Sequence, residues 1–397
     1  MDEKLNKNLI VLLLGLAGFV VTADNWVVAP ILPAISQSFG IDVGSSGLLV
    51  SAYMLPFGVF QIIMGPLSDR YGKKQVLTLS IITFTIATGL CALGTNLTNL
   101  AFIRALTGVF ASSLMPISIA LIGDMFPMHE RQKAISTFMG IAYLGQGLSM
   151  IIGGSIAYLF SWRGVFAVYA VFSLIPTLLF IKLYKTIPSE KNPKSEMFRP
   201  YLRMISKYEY VSLLGIVFLE GMFIIGSFSY VGAFISEVFN FNYLKIGLIM
   251  TGFGVMTLAG GRAGSKAVKT TGAKNMVAFG LLSAATANLL LYYLGTNIYM
   301  VVIAVSLLGL GFILTHSTLM TQITGMAHTS RGTAMGLLAF SFMGGGAIGT
   351  ALGGRIVTAS DLKHLFLIFG TALIVTLILS LLTLRNLGAR EAVPSNA

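Results

Sequence analysis

The sequence predicts an all-α membrane protein: twelve transmembrane helices in two six-helix bundles, related by a pseudo-twofold axis along the membrane normal. Three observations carry this. Charged residues make up only 10% of the chain and hydrophobic ones 55%, whereas a soluble domain keeps about 25% charged. The apolar residues come in blocks long enough to cross a bilayer, which takes roughly 20 residues per helix. Residue identities also recur at an offset of 200 positions, as internal repeats do in transporters.

In chain order the first six blocks fall near 9–31, 46–66, 76–94, 98–122, 133–159 and 164–184. The second six fall near 210–235, 244–263, 275–294, 298–324, 332–357 and 364–384. The polar stretch 184–209, with the run IPSEKNPKSE, divides the chain into an N-terminal bundle (1–184), a linker (185–209) and a C-terminal bundle (210–397). Residues 1–8 are polar and run directly into an apolar helix without a small-residue cleavage site, so an uncleaved first helix is expected. At the offset of 200, Gly72 matches Gly272, Lys74 matches Lys274, Arg131 matches Arg331 and Ala134 matches Ala334. Gly145, Gly153 and Gly154 match Gly345, Gly353 and Gly354. An even number of helices per half makes such repeats parallel.

The net charge of +12 invites a nucleic-acid reading, but its distribution argues against one. When loops are assigned to alternate sides, 21 of the 26 lysines and arginines lie on the side of both termini. Four lie opposite (Arg163, Lys245, Arg355 and Lys363), and Arg104 lies inside a span. Cytoplasmic loops carry this excess, so both termini are expected in the cytoplasm. The single cysteine, Cys91, and four scattered histidines supply no disulfide and no zinc motif. No metal or cofactor is expected.

The loop after the second block reads Gly65-Pro-Leu-Ser-Asp69-Arg70-Tyr-Gly72-Lys73-Lys74. It resembles the G-x-x-x-D-R-x-G-R/K-R/K loop between helices 2 and 3 of the major facilitator superfamily, at the matching topological place. Gly65 is expected to let helix backbones approach closely and Gly72 to make a tight turn. The resemblance implies that Asp69 docks near the start of helix 11, around Gly332, where the helix dipole favours a carboxylate. Lys73 and Arg131 are placed to pair with Asp69 or Asp124. In similar transporters this cluster closes the cytoplasmic gate and stabilises the outward-open state. The matching loop of the second half, 261–274, keeps its glycines and lysines but has no acid.

Arg104 and Gly108 on helix 4 resemble the family's second motif, an intramembrane arginine linked to proton transfer in proton-coupled members. A buried arginine needs an acid or carbonyl partner, so a purely structural salt bridge is the alternative. The glycine-rich stretches Gly145–Gly154 and Gly345–Gly354 resemble the drug-antiporter motif of helix 5, but both lack its proline. Small residues four apart also simply permit close helix contact. Trp162-Arg163 followed by Phe166 resembles the start of helix 6 in the same group.

Four ionisable residues lie clearly within spans: Asp24, Arg104, Glu220 and His316. Such residues are rare in membranes and functional by default. Asp24 and Arg104 fall at similar depth. Burial makes a carboxylate hold its proton and a guanidinium makes it let go, so a change in their separation would load or release a proton. Glu220, on the repeat equivalent of helix 1, is a second proton candidate or a ligand for a cationic substrate. A fixed ion pair is the alternative for either acid. His316 is either a proton relay or a hydrogen-bonded structural histidine. Candidate cavity residues are Asn25, Trp26, Tyr53, Gln61, Tyr143, Gln146, Phe223, Phe228 and Tyr230, although most aromatic side chains in such a chain face lipid or other helices. An apolar, methionine-rich cavity accommodates varied ligands by repacking.

The short loops and the TADNWVVAPILPAI start resemble the twelve-helix drug and sugar efflux branch. This implies a monomeric, proton-coupled antiporter of the bacterial inner membrane that exports small amphipathic compounds by alternating access. Proton-symport uptake of a small metabolite shares the fold and is the alternative. A membrane enzyme lacks a nucleophile–base pair to support it, and a passive channel would not need a twice-repeated gate loop.

Overall fold

The computed structural model describes residues 3–191, 199–327 and 331–391, and these contain helices but no strand. Twelve helices are long and apolar enough to cross a membrane. Spans 1–6 are Lys7–Trp26, Val43–Tyr71, Lys73–Cys91, Leu97–Met125, His129–Leu159 and Trp162–Leu183. Spans 7–12 are Tyr208–Phe239, Tyr243–Val268, Thr270–Leu294, Ile298–Met326, Gly332–Ala359 and Leu362–Leu384. All twelve expected blocks are helical, most of them longer than the apolar count suggests. Polar residues at a helix end keep their backbone bonds but contribute nothing to hydropathy. Span 1 departs most from expectation. Its helix is interrupted at Val27, whose backbone stays in the helical region (φ −69°, ψ −21°), and continues as Val28–Phe39, with Pro33 inside that second piece.

The two ends of the bundle are built differently. Spans 2, 4, 6, 8 and 10 start at the face opposite the termini. There Asp42, Asn96, Ser161, Asn242 and Asn297 each accept a bond from a backbone N–H of the first turn. These caps satisfy donors that a helix start otherwise leaves unpaired, and they tighten the loops of that face. At the terminal face, the chain passes from span 2 to span 3 through Gly72 (φ 105°), and the helical run Tyr243–Leu294 of spans 8 and 9 is broken at Gly272 (φ 77°), two residues into span 9. Both glycines adopt a backbone that residues with a Cβ avoid, so the matched pair marks one turn built twice.

Packing repeats as well. Gly108 of span 4 sits against the backbone of Tyr53 in span 2, and Gly309 of span 10 sits against that of Phe253 in span 8. Across the halves, Gly154 of span 5 meets Tyr243 and Gly247 of span 8, while Gly354 of span 11 meets Gly44 at the start of span 2. Small residues let these backbones touch. Span 7 is interrupted by one π-helical turn, Gly221–Ile225, directly after Glu220. Gly221 and Gly226 there lie against the backbone of span 11 at Phe342 and Gly349. The linker is not wholly irregular, since Arg199–Ile205 is helical and Tyr201 packs beside Gly336 of span 11.

Candidate functional site

The first ionisable cluster lies inside the N-terminal bundle. Asp24 and Arg104 are both fully buried, and Arg104 Nη1 donates to Asp24 Oδ2 at 2.6 Å. Nη2 reaches the Asp24 carbonyl at 3.4 Å. The guanidinium lies 4.3 Å from the Tyr53 ring centroid and 5.7 Å from that of Phe166. Three polar atoms remain unpartnered there: Asp24 Oδ1, Arg104 Nε and the Tyr53 hydroxyl. Asp24 sits three residues before Val27, whose N–H bonds back to Ala23 O at 3.0 Å. The cluster therefore sits one turn before the interruption of span 1, and its spare acceptor oxygen is open to a donor.

The second cluster joins spans 7 and 10. His316 Nδ1 is 3.4 Å from Glu220 Oε2, and Glu220 Oε1 is buried without a partner. Glu220 is fully enclosed, whereas His316 remains 19% exposed and screens it. The imidazole stacks on Phe312, with centroids 5.3 Å apart, and lies 4.5 Å from Phe342. Phe312 is 5.9 Å from Trp26 of span 1. Trp26 also meets Phe228 at 5.6 Å and Phe253 at 5.2 Å. An aromatic strip thus runs from the N-terminal bundle to Glu220.

Asn25, Trp26, Met54, Phe228, Phe342 and Met343 line a central pocket between the halves, with about 20 Å³ of free space. Beyond it, at the face away from the termini, the halves are bonded together. Tyr230 donates its hydroxyl to Thr350 O (2.9 Å) and Gly44 O (3.2 Å). Thr358 donates to Asp42 Oδ1 at 2.7 Å, and Tyr243 donates to Gln37 Oε1 at 3.1 Å. Ser51 of span 2 donates to Ala347 O of span 11 at 2.8 Å. Nearer the terminal face, a methyl group added to Gly65 or Gly140 would meet no other element within 4 Å.

The remaining sequence candidates scatter. Asn25, Trp26 and Phe228 reach the pocket, but Tyr230 belongs to the bonded seam. Tyr53 covers Arg104. Phe223 turns into the C-terminal bundle, 5.5 Å from Phe369. Gln61 and Gln146 each hold a buried polar atom without a partner, and Tyr143 is exposed. At the terminal face Lys73 bonds Asp124 at 2.6 Å and lies 3.8 Å from Asp69. Arg70 lies against the Tyr71 ring. Arg131 pairs with neither acid; it donates to the carbonyls of Gly123 (2.5 Å) and Phe126 (3.4 Å). These carbonyls at the end of span 4 lack helical partners, so they attract a cation. A Cβ at Gly65 would meet no atom of another element, so no close helix contact there requires a glycine. Asp69 is 48% exposed, and residues 328–330 before span 11 lie outside the described residues.

Sequence reasoning did not reach Phe253, Phe312 and Phe342, which resemble any core phenylalanine until the helices are oriented. The Asp42 cap was accessible, since Asp42-Val-Gly-Ser45 before an apolar run reads as a helix start.

A family model described as Major Facilitator Superfamily matches residues 14–341 and 246–396. The chain is 28% identical over 391 residues to the uncharacterized MFS-type transporter YceJ of Bacillus subtilis, covering 94% of this chain and 96% of that one. It is 25% identical over 415 residues to the quinolone resistance protein NorB of Staphylococcus aureus, covering 88% of each. Among solved structures, a bacterial homolog of the human lysosomal transporter Spinster superposes with a TM-score of 0.76 at 16% identity, over 96% of this chain and 97% of that one.

Proposed function

The chain belongs to the Major Facilitator Superfamily, and from that premise we propose that it is a proton-coupled exporter of small amphipathic compounds. It works as a monomer in the bacterial inner membrane, by alternating access. The Asp24–Arg104 pair carries this reading. A carboxylate with one oxygen on a guanidinium and the other unpartnered is placed to accept a proton when the two groups separate. Asp24 directly precedes Asn25 and Trp26, so a shift of its carboxylate is passed along span 1 to the pocket wall.

The loop charges favour a cytoplasmic terminal face. On that assignment the bonded seam is the closed outer gate. Substrate enters from the cytoplasm, meets the aromatic and methionine walls of the pocket, and leaves when the seam opens. Proton entry to Asp24 from outside releases Arg104 and returns the transporter. The Glu220–His316 pair is a second proton site or a counter-charge for cationic substrates, reached along the aromatic strip. Likeness to NorB favours export and makes a quinolone the first probe.

Right-side-out vesicles with an inward proton gradient test the direction. Export predicts less internal quinolone than in de-energised vesicles, and a protonophore should abolish the difference. Accumulation inside would establish the uptake alternative instead.

A further inference from the structure

A second and larger groove lies away from the central pocket. It has a volume of about 380 Å³ and crosses the seam between the halves at the face away from the termini. Gly44, Ser45 and Leu48 of span 2 form one wall, and Ala351, Arg355 and Thr358 of span 11 form the other. Arg355 has no ion pair or hydrogen bond among the described residues. Its Cα lies four residues before the end of span 11, about 6 Å at the helical rise of 1.5 Å per residue. Asp42, which immediately precedes span 2, adjoins the groove through its bonds to the lining residues Ser45 and Thr358. Both charges are thus at the level where the hydrocarbon core gives way to headgroups, and a long arginine reaches outward there.

The two charges are complementary to one kind of molecule. An unpaired guanidinium favours a phosphate, which it grips with two parallel bonds. The carboxylate of Asp42 accepts from Ser45 N–H (2.8 Å), Thr358 O–H (2.7 Å) and Ser45 O–H (2.5 Å). No lysine or arginine pairs with it among the described residues, so its negative charge is left to meet an external cation. Partial burial pushes the Asp42 pKa up, but the bonds from Ser45 and Thr358 outweigh it and hold the group below 3.8. It is therefore an anion at neutral pH. Leu48 and Ala351 add an apolar residue to each wall.

We propose that this groove binds a phospholipid whose headgroup carries a primary ammonium, with phosphate on Arg355, ammonium on Asp42 and an acyl chain along Leu48 and Ala351. Such a lipid touches both halves across the seam. It binds only while this face is closed, and so favours closure by mass action. The inference rests on the membrane-spanning fold and not on the direction of transport.

Native mass spectrometry of the full chain tests it, with the protein released from phosphatidylcholine nanodiscs doped with phosphatidylethanolamine or phosphatidylglycerol. Phosphatidylethanolamine should be retained preferentially. Arg355→Gln should lower its retention roughly tenfold, as expected for a lost charge-assisted pair, and Arg355→Lys should restore part of it. An unchanged unfolding midpoint of Arg355→Gln in pure phosphatidylcholine controls for folding. Equal retention of phosphatidylethanolamine by Arg355→Gln and the natural chain would overturn the site. Equal retention of all three lipids would overturn the headgroup assignment. Displacement of the lipid by millimolar free phosphoethanolamine would show a soluble phosphate site and overturn the lipid as occupant.

Discussion

Tyr230→Phe isolates one bond of the seam. The hydroxyl hydrogen is shared between Thr350 O at 2.9 Å, within its own half, and Gly44 O at 3.2 Å, across the seam. Phenylalanine keeps the ring against Gly353 and removes only the donor. A buried bond of this type contributes about 1 kcal/mol, so the closed-to-open ratio of this face should fall roughly fivefold. Adding Thr358→Val removes the bond to Asp42, and the pair should cost about 2 kcal/mol, or roughly thirtyfold. Spin labels at Thr95 and Tyr299 report the opening, since both residues are exposed at this face, one in a loop of the first half and one in the first turn of span 10. Native Cys91 is buried and free, so it stays unlabelled. The expected result is a longer-distance population that is small in the single variant and large in the double. A distance distribution unchanged in the double variant would refute the assignment of these bonds as the closure.

Asp24→Asn should abolish proton-driven transport while a substrate-induced thermal shift persists. Because it strands the buried charge of Arg104, it should also destabilise the bundle by about 3 kcal/mol, read as a lower unfolding midpoint. Glu220→Gln should reduce transport of cationic compounds more than neutral ones; equal loss for both would remove the counter-charge role. Asp69→Asn should shift spin-label distances at the terminal face toward the inward-open arrangement, and unchanged distances would reject a gate role there. The Asp42 bond to Thr358 should be insensitive to pH between about 5 and 8. Because its pKa is held below 3.8, its contribution is present above that value and is lost only as pH falls through the lower one. A loosening of the seam near neutral pH would mean that another group titrates.

The sequence made the backbone scaffold legible because span length and turn chemistry are local properties. The paired glycines Gly72 and Gly272 were readable at a distance of 200 residues, and both prove to be positive-φ turns. Asp24 and Arg104 were legible as a pair because intramembrane charges need partners and these two shared a depth. Glu220 and His316 were each visible, but their contact depends on how spans 7 and 10 rotate, which periodicity does not supply. Tyr230 shows the same limit, as an aromatic residue on span 7 reads as cavity wall until rotation turns it onto Gly44. Arg131 shows another, since counting charges suggests an ion pair while the open carbonyls of span 4 are the nearer acceptors. The π turn after Glu220 lies where Gly221 and Gly226 meet the backbone of span 11, and no residue pattern announced it.

Proton exchange for substrate is the central claim, and luminal pH tests it most directly. Proteoliposomes are loaded with a transported compound and a pH-sensitive dye, then diluted into substrate-free buffer. The account predicts that the lumen acidifies as the compound leaves, and that Asp24→Asn eliminates this acidification. Efflux with luminal alkalinisation, or acidification undiminished in Asp24→Asn, would contradict it.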